Sequence, residues 1–220
     1  MSLNLSRPIL YLITRGVTTE ATTPQSPEFR HVLEQVEKAV EAGVDLIQIR
    51  EKKLSARVLF ELSERAVAIS QGTPTRILVN DRADIAAGVR AAGVHLTTQS
   101  LETSVVRETF GDKFLVGVST HSFDEARAAF EQGSDFVVFG PIFPTLSKQG
   151  FGPPVGLQEL NEITNRLGGL PLLALGGVSE NNAQQCLKAG AGGVAGISLF
   201  SEPERIGTTA AEIRMAAKGL

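Results

Sequence analysis

The amino-acid sequence predicts a single (β/α)8 TIM barrel over residues 1–220. Eight short apolar runs alternate with helical segments, at a spacing of about 25 residues, and this is the pattern of such a barrel near its minimum size. The chain has no low-complexity linker and no break in composition, so we expect one domain. An open doubly wound sheet is the main alternative, but no Gly-x-Gly-x-x-Gly motif follows the first run.

The eight predicted strands are short runs of apolar and β-branched residues. They are residues 9–13, 44–50, 76–80, 92–96, 114–118, 135–139, 170–175 and 193–197. Strands two, four and eight each follow an Ala-Gly pair, which indicates a repeated unit of helix, turn and strand.

Helices are predicted from apolar periodicity and from capping residues. The apolar positions 29, 32, 33, 36 and 40 form one helical face, and Ser55 and Ser122 are suited to N-caps. The predicted helices are a segment over 29–40, one that opens at Ser55, one that ends at Arg90, one from Ser122 to Gln132, one from Ser179 to Ala189, and a final one that carries Ile206, Ala210, Ile213 and Ala216.

The composition excludes several classes of protein. A hydrophobic content of 42% and a net charge of −3 give no support to nucleic-acid binding, which normally requires a basic face. Cys186 is the one cysteine, so the chain has no internal disulfide and no cysteine-cluster metal site, and we expect a packed thiol. No apolar run approaches the ~20 residues of a membrane span, and Met1–Leu3 does not open a secretory signal. We therefore expect a cytoplasmic protein with no membrane partner.

Candidate functional residues follow from the rule that a barrel of this kind carries its active site at the carboxyl ends of its strands. Gln48, Arg50 and Lys52 occupy alternate positions of strand two, so all three can point to one side. The other candidates are Asn80 and Asp81 after strand three, Ser119 and His121 after strand five, Thr145, Ser147 and Lys148 after strand six, Gly176 and Gly177 after strand seven, and Ile197 and Ser198 after strand eight.

These residue types indicate a phosphorylated ligand. Glycines let backbone N–H groups approach phosphate oxygens, and Lys148 is a mobile point charge suited to phosphate. Arg50, Lys52 and Lys148 together would repel one another without anions, so we expect more than one phosphate-like group.

Most candidates also have a purely structural interpretation, which the sequence leaves open. Gln48 and Arg50 could form a barrel-core ion pair with Glu51 or Asp81. The further structural interpretations are a helix N-cap for Asp81, a backbone hydrogen bond for His121, a structural role for His95 and solvation for His31.

Several motifs, in order and at suitable spacing, resemble the thiamine phosphate synthase family along nearly the whole chain. They are Gln48-Ile-Arg50-Glu-Lys52, Asn80-Asp81-Arg82, Gly93-Val-His95-Leu96, the segment 117–122, the segment 139–145 with Lys148, and Ala174-Leu-Gly-Gly177. The resemblance implies a transferase of thiamine biosynthesis. Such an enzyme joins 4-amino-5-hydroxymethyl-2-methylpyrimidine diphosphate to a thiazole phosphate. Diphosphate leaves first, and the thiazole nitrogen captures the pyrimidine methyl cation.

The resemblance also implies a role for each site residue. Gln48, Arg50, Lys52 and Asn80 would hold the leaving diphosphate, and Lys148 would neutralise its charge. Ser119 would lie beside the pyrimidine. The thiazole phosphate would be held by Thr145, Ser147, Gly177, Ile197 and Ser198. Such a dissociative step requires charge stabilisation and positioning more than covalent help.

The sequence departs from the family at the metal site. The family's Mg²⁺ is held by two aspartates, of which one matches Asp81 and the other is replaced here by Ser100. A hydroxyl is a poorer Mg²⁺ ligand than a carboxylate, although diphosphate and water supply most of the ligands. Glu102 is a nearby carboxylate. We expect a Mg²⁺ cofactor with Asp81 as its protein ligand.

Two alternative functions remain at this point. A sister branch, the thiazole tautomerases, aromatises a thiazole carboxylate phosphate without a metal, and its histidine would correspond to His121. A non-catalytic barrel that binds a thiamine precursor is the other alternative. The retained cations favour the synthase, whereas Ser100 favours the tautomerase. A homodimer is a candidate assembly, although no sequence feature specifies the oligomeric state.

Overall fold

Eight parallel strands close into a barrel in the order in which they occur in the chain, and the predicted (β/α)8 fold is confirmed. The computed structural model describes residues 8–97, 99–145 and 153–218. The strands are β1 (Ile9–Ile13), β2 (Leu46–Ile49), β3 (Arg76–Asn80), β4 (Gly93–Leu96), β5 (Leu115–Thr120), β6 (Phe136–Phe139), β7 (Leu172–Ala174) and β8 (Gly193–Gly196).

A helix follows each strand on the outside of the barrel. The helices are α1 (Pro27–Glu41), α2 (Ala56–Ser70), α3 (Ala83–Gly88), α4 (Thr103–Phe110), α5 (Phe123–Glu131), α6 (Gly156–Leu167), α7 (Ala183–Lys188) and α8 (Ile206–Ala217). Two short 3₁₀ turns, Ser198–Phe200 and Pro203–Arg205, lie between β8 and α8. None of the helices in the described part of the chain is long and apolar enough to cross a membrane.

Local sequence signals explain the starts of two helices. The Ser55 and Ser122 hydroxyls accept hydrogen bonds from the N–H groups of Val58 and Glu125, so both predicted N-caps are confirmed. The predicted start of α7 at Ser179 is wrong, because the Asn182 side-chain oxygen accepts from the Ser179 N–H and keeps this segment in a turn. The sequence analysis did not locate α4 and α6 individually.

The barrel separates two apolar cores. The outer core lies between the strands and the helices, where Phe29, Val32 and Val36 of α1 are fully or nearly fully buried. The inner core fills the barrel with alternate residues of the strands, namely Ile9, Tyr11, Ile13, Leu46, Leu78, Phe136, Val138, Leu173 and Ala195. Because these side chains fill the interior, the barrel is a packed core and not a channel.

An arginine of helix α4 binds the turn that precedes strand β6. Arg107 Nη2 lies 2.8 Å from Asp135 Oδ2 and 2.7 Å from the Gly133 carbonyl oxygen. Asp135 Oδ2 also accepts from the Val116 N–H of β5 at 2.7 Å. This α4 clamp, made of Arg107 and Asp135, joins one helix and two strands.

An equivalent α8 clamp lies four strands away around the barrel. Arg214 Nη2 lies 2.6 Å from the Gly43 carbonyl oxygen and 3.4 Å from Asp45 Oδ2. Asp45 Oδ2 accepts from the Leu10 N–H of β1 at 2.9 Å. The α8 clamp thereby fastens the last helix to the first two strands.

Candidate active site

A cavity of about 180 Å³ opens at the carboxyl ends of the strands. Ile13, Val138, Leu175 and Ile197 give it apolar walls. Seven of the residues predicted from the sequence line it together, namely Gln48, Arg50, Lys52, Asn80, Ser119, His121 and Ile197. The structure therefore brings together candidates from four strand ends that are distant in sequence.

Two cations at the end of β2 face this cavity. Arg50 and Lys52 both line it, as their alternate spacing predicted. Among the described residues neither forms an ion pair with a carboxylate, so the predicted alternative of an Arg50 pair with Glu51 or Asp81 is wrong. Two cations at one cavity without such counter-charges favour anionic ligands.

Glu51 holds the backbone that carries these cations. Its carboxylate is 2% exposed and accepts hydrogen bonds from the N–H groups of Gly16 and Thr18 and from the Thr18 hydroxyl. The Arg50 N–H donates to the Thr14 hydroxyl at 2.8 Å. The loop after β1 is thus fastened to the end of β2, and sequence reasoning did not assign this role to Glu51.

Gln48 lies deep in the cavity and is 1% exposed. Its Nε2 donates to the Tyr11 hydroxyl at 2.8 Å. Burial raises the pKa of the Tyr11 phenol far above its ordinary value, so the phenol remains un-ionised. Gln48 is therefore held by a neutral group of the inner core.

Asp81 directly follows β3, and two neighbours orient its carboxylate. Asn80 Nδ2 donates to Asp81 Oδ2 at 2.8 Å, and the Ser100 hydroxyl donates to Asp81 Oδ1. The predicted alternative of a helix N-cap is wrong, because Arg82 occupies the N-cap position of α3. Asp81 itself adopts φ 58°, a left-handed conformation that is uncommon for a side-chain-bearing residue.

The Asp81 carboxylate is suited to be one ligand of a hydrated Mg²⁺ ion. One carboxylate with water and phosphate oxygens is a common Mg²⁺ environment, so Asp81 could hold the ion together with a diphosphate. Within residues 8–97, 99–145 and 153–218, no group of three His, Cys, Asp or Glu side chains could form a cage for a metal ion. Ser100 occupies the position of the expected second ligand and is already bonded to Asp81.

His95, which the sequence analysis assigned to a structural role, lines the cavity beside Ser119. Its Nε2 lies 2.8 Å from Ser119 Oγ. Burial and the positive charge of Arg50 lower the pKa of His95 to about 3, so the ring is neutral at physiological pH. The strand pattern could have identified this position. His95 in β4 is the register partner of Asn80 in β3, so the two side chains point to the same side of the barrel wall, towards the cavity.

His121 is exposed at the cavity rim, and the predicted backbone hydrogen bond is confirmed. Its Nδ1 lies 2.5 Å from the Gly140 carbonyl oxygen at the end of β6. The His121 N–H donates to Glu125 Oε2. A histidine in this place can contact a ligand in the cavity, and it can also fix the positions of the residues at the cavity rim.

A second cavity adjoins the first and shares Gly140, Leu175 and Ile197 with it. Four predicted phosphate-binding residues line it, namely Thr145, Gly177, Ile197 and Ser198. Gly177 has φ +66°, and a Cβ there would lie 2.7 Å from the Pro144 carbonyl oxygen. Only glycine fits at this position of the cavity wall. The predicted residues Ser147 and Lys148 lie outside the described residues.

Comparisons with known proteins agree with this geometry. The family described as thiamine monophosphate synthase matches residues 17–200. The thiamine-phosphate synthase of Roseiflexus castenholzii is 34% identical over 97% of this chain and 94% of the relative. That of Chlorobium luteolum is 36% identical over 90% of this chain and 87% of the relative. The solved structure of a thiamine phosphate pyrophosphorylase from Pyrococcus furiosus has a TM-score of 0.77 at 28% identity and covers 96% of this chain and 95% of its own.

Proposed function

The chain belongs to the thiamine monophosphate synthase family, and from this premise we propose that it joins a pyrimidine methyl diphosphate to a thiazole phosphate, as a transferase of thiamine biosynthesis. The observation that carries the proposal is the pair of adjoining cavities. One cavity has Arg50 and Lys52 at its rim, and the other has the bare backbone of Gly177. Two anionic substrates can therefore be bound side by side.

The first cavity suits a leaving diphosphate. In the reaction, the bond between the pyrimidine methylene carbon and the diphosphate oxygen breaks, and the electron pair leaves with diphosphate. Arg50, Lys52 and the Asn80 amide would stabilise the growing negative charge. Lys148, outside the described residues, would add a further charge by resemblance to the family. A Mg²⁺ ion held by Asp81 would supply additional charge neutralisation when bound.

The apolar walls suit the other product of that bond cleavage. A pyrimidine methyl cation reacts with water unless water is excluded, and Ile13, Val138 and Ile197 line the cavity where it would form. The thiazole nitrogen then donates its lone pair to form the new C–N bond, which gives thiamine phosphate. Because Ile197 borders both cavities, the two reactants can meet there without crossing solvent.

The second substrate suits the glycine-lined cavity. Gly177, Thr145 and Ser198 offer N–H and hydroxyl groups to a phosphate. Ser147 would join them by resemblance to the family. This arrangement holds the thiazole by its phosphate and leaves its ring nitrogen free for the reaction.

A thiazole tautomerase is the second candidate function. It is favoured by one observation, namely that Ser100 rather than a carboxylate lies against Asp81. His121 would then move a proton on the thiazole carboxylate phosphate. Arg50 and Lys52, which have no carboxylate partner in the described part of the chain, would have no diphosphate to bind in that reaction, and for this reason we propose the synthase.

The deciding experiment incubates the purified chain with both precursors, with and without Mg²⁺, and measures thiamine phosphate and diphosphate by chromatography. The synthase requires equal amounts of the two products, with their formation dependent on the pyrimidine diphosphate. Isomerisation of thiazole carboxylate phosphate without pyrimidine would establish the tautomerase instead. Calorimetric binding of a precursor without any turnover would identify a non-catalytic binding protein.

A further inference from the structure

His95 and Ser119 contact each other inside the first cavity because of the register between two neighbouring strands. His95 of β4 lies opposite Gly117 of β5, which has no side chain. The imidazole, which is 2% exposed, therefore lies over β5, and its Nε2 comes 2.8 Å from Ser119 Oγ. One ring nitrogen is thus committed to the Ser119 hydroxyl.

The other ring nitrogen of His95 is enclosed by apolar groups. Nδ1 is buried and has no hydrogen-bond partner among the described residues. The ring centroids of Tyr11 and Phe136 lie 5.6 and 6.0 Å from that of His95, and a Cβ added at Gly117 would come 2.8 Å from Nδ1. A hydrogen on Nδ1 would therefore be a buried, unsatisfied donor, which is unfavourable and is rarer in proteins than an unsatisfied acceptor.

We propose that His95, as the neutral Nε2–H tautomer, donates its hydrogen to Ser119 Oγ and so fixes the Ser119 hydroxyl as a donor to the ligand. A hydroxyl carries one hydrogen, and Ser119 Oγ accepts from His95 in this arrangement. The hydrogen of Ser119 is then left for an atom of the ligand. His95 is in these terms a positioning residue, because it acts through Ser119.

This polarity selects the chemical class of the ligand, on the premise of the proposed function. A fixed donor requires an acceptor without a hydrogen, and a ring nitrogen of a 4-aminopyrimidine is such an acceptor. A 4-oxopyrimidine carries a hydrogen on N3, so a Ser119 hydroxyl that faces this nitrogen would meet a second donor. We therefore expect Ser119 and His95 together to favour the aminopyrimidine over its oxo analogue by about tenfold or more.

The tautomer is tested directly by NMR of the full chain labelled with ¹⁵N-histidine, at pH 7 and without ligand. The expected result for His95 is a protonated Nε2 and an unprotonated Nδ1. A protonated Nδ1, or a doubly protonated ring, would overturn the proposal. This measurement involves no substrate, so its result is separate from the success or failure of the proposed function.

The consequence for binding is tested with a matched pair of amide variants. The Nε2 of glutamine in His95→Gln can take the place of the imidazole Nε2, whereas the shorter amide in His95→Asn cannot reach Ser119. Calorimetry with unphosphorylated 4-amino-5-hydroxymethyl-2-methylpyrimidine should show a loss of about tenfold in affinity for His95→Asn and little change for His95→Gln. Inorganic diphosphate should bind all three proteins alike.

Equal pyrimidine affinity in the two variants, or an equal loss of pyrimidine and diphosphate affinity in His95→Asn, would overturn the proposal. If His95→Asn does not fold, the comparison of His95→Gln with the wild type still decides, because a loss of about tenfold there contradicts the assigned donor. Failure of the wild type to bind the pyrimidine, with the Nε2–H tautomer observed, would count against the proposed function and leave the tautomer standing.

Discussion

Arg107 and Asp135 lie 2.8 Å apart and join helix α4 to the turn before strand β6. Their side chains are 18% and 8% exposed, so this ion pair is shielded from water on most sides. Arg107 also donates to three carbonyl oxygens, those of Gly111, Phe114 and Gly133. One guanidinium therefore binds backbone groups of two turns as well as the Asp135 carboxylate.

Arg107→Ala should lower the free energy of unfolding by about 2–3 kcal/mol, because it removes the cation beside a largely buried carboxylate together with the hydrogen bonds to three carbonyl oxygens. Urea unfolding measures the change. The matched control is Arg127→Ala, which removes the exposed pair with Glu131, 59% exposed on both sides, and should change stability by less than about 0.5 kcal/mol. Equal losses in the two variants would contradict the structural role of the α4 clamp.

Arg50→Ala should weaken binding of inorganic diphosphate by about tenfold, because the variant loses a cation that has no carboxylate partner in the described structure. The control is Lys53→Ala, since Lys53 is an exposed neighbour that does not line the cavity. Calorimetry at two salt concentrations measures both. An unchanged affinity in Arg50→Ala would remove this residue from the diphosphate site.

Ser100→Asp should strengthen Mg²⁺ binding in the presence of diphosphate by about tenfold, because it sets a second carboxylate beside Asp81. Ser100→Ala removes the hydroxyl without adding charge and serves as the control. Calorimetric titration of Mg²⁺ gives the readout independently of turnover. A Mg²⁺ affinity that is the same in both variants would place the ion away from residue 100.

The stability of the chain should fall in mild acid because of His95. The pKa of His95 is lowered to about 3 in the folded chain, whereas an unfolded histidine binds its proton near pH ~6.5. Below pH ~6.5 the unfolded state therefore binds more protons, and stability decreases as the pH falls towards 3.

Between pH 7 and pH 5 this histidine accounts for a loss of about 2 kcal/mol, which His95→Gln should not show. Urea unfolding at the two pH values, for the wild type and the variant, measures the difference. The same pH dependence in both proteins would mean that His95 is accessible to protons in the folded state.

Gly177→Ala should abolish thiazole phosphate binding, because its Cβ would lie 2.7 Å from both Phe143 Cβ and the Pro144 carbonyl oxygen and its φ of +66° disfavours any other residue. Gly207→Ala is the control. Gly207 lies in α8 with open space around its Cβ position, so this change should stabilise the chain by about 0.5–1 kcal/mol. Phosphate binding that survives in Gly177→Ala would exclude this loop from the site.

The sequence predicted the fold from signals that are local. An apolar run such as 76–80 is a strand in the structure with the same bounds, because the residues themselves require burial. Helix α6 was missed although Leu160, Ile163 and Leu167 have helical spacing and are buried. The start of α7 was misplaced because the Asn182 side chain accepts a hydrogen bond from the Ser179 N–H, a local interaction that periodicity does not reveal.

The site was predictable only in part. The residues at strand ends converge once the barrel is assumed, and this explains why Arg50, Asn80 and Ser119 meet. The bond between His95 and Ser119 depends instead on the register of β4 against β5 and on the space above Gly117, which no local pattern contains. The hydrogen bond that Asp81 accepts from the Ser100 hydroxyl likewise joins residues 19 positions apart, and no local pattern predicts it.

The α4 and α8 clamps repeat one arrangement in the two halves of the barrel. In each clamp the arginine lies in a helix, and the aspartate lies between the first and the second strand that follow this helix around the barrel. In evolutionary terms, such a correspondence is the expected trace of an ancestral gene that encoded four strands and was duplicated and fused. Arg50 and Lys52 follow β2, in the first four strands, and Gly177 follows β7, in the last four. A catalyst that joins two molecules would then have arisen at the seam of two ancestral copies, each of which contributed the place for one anion.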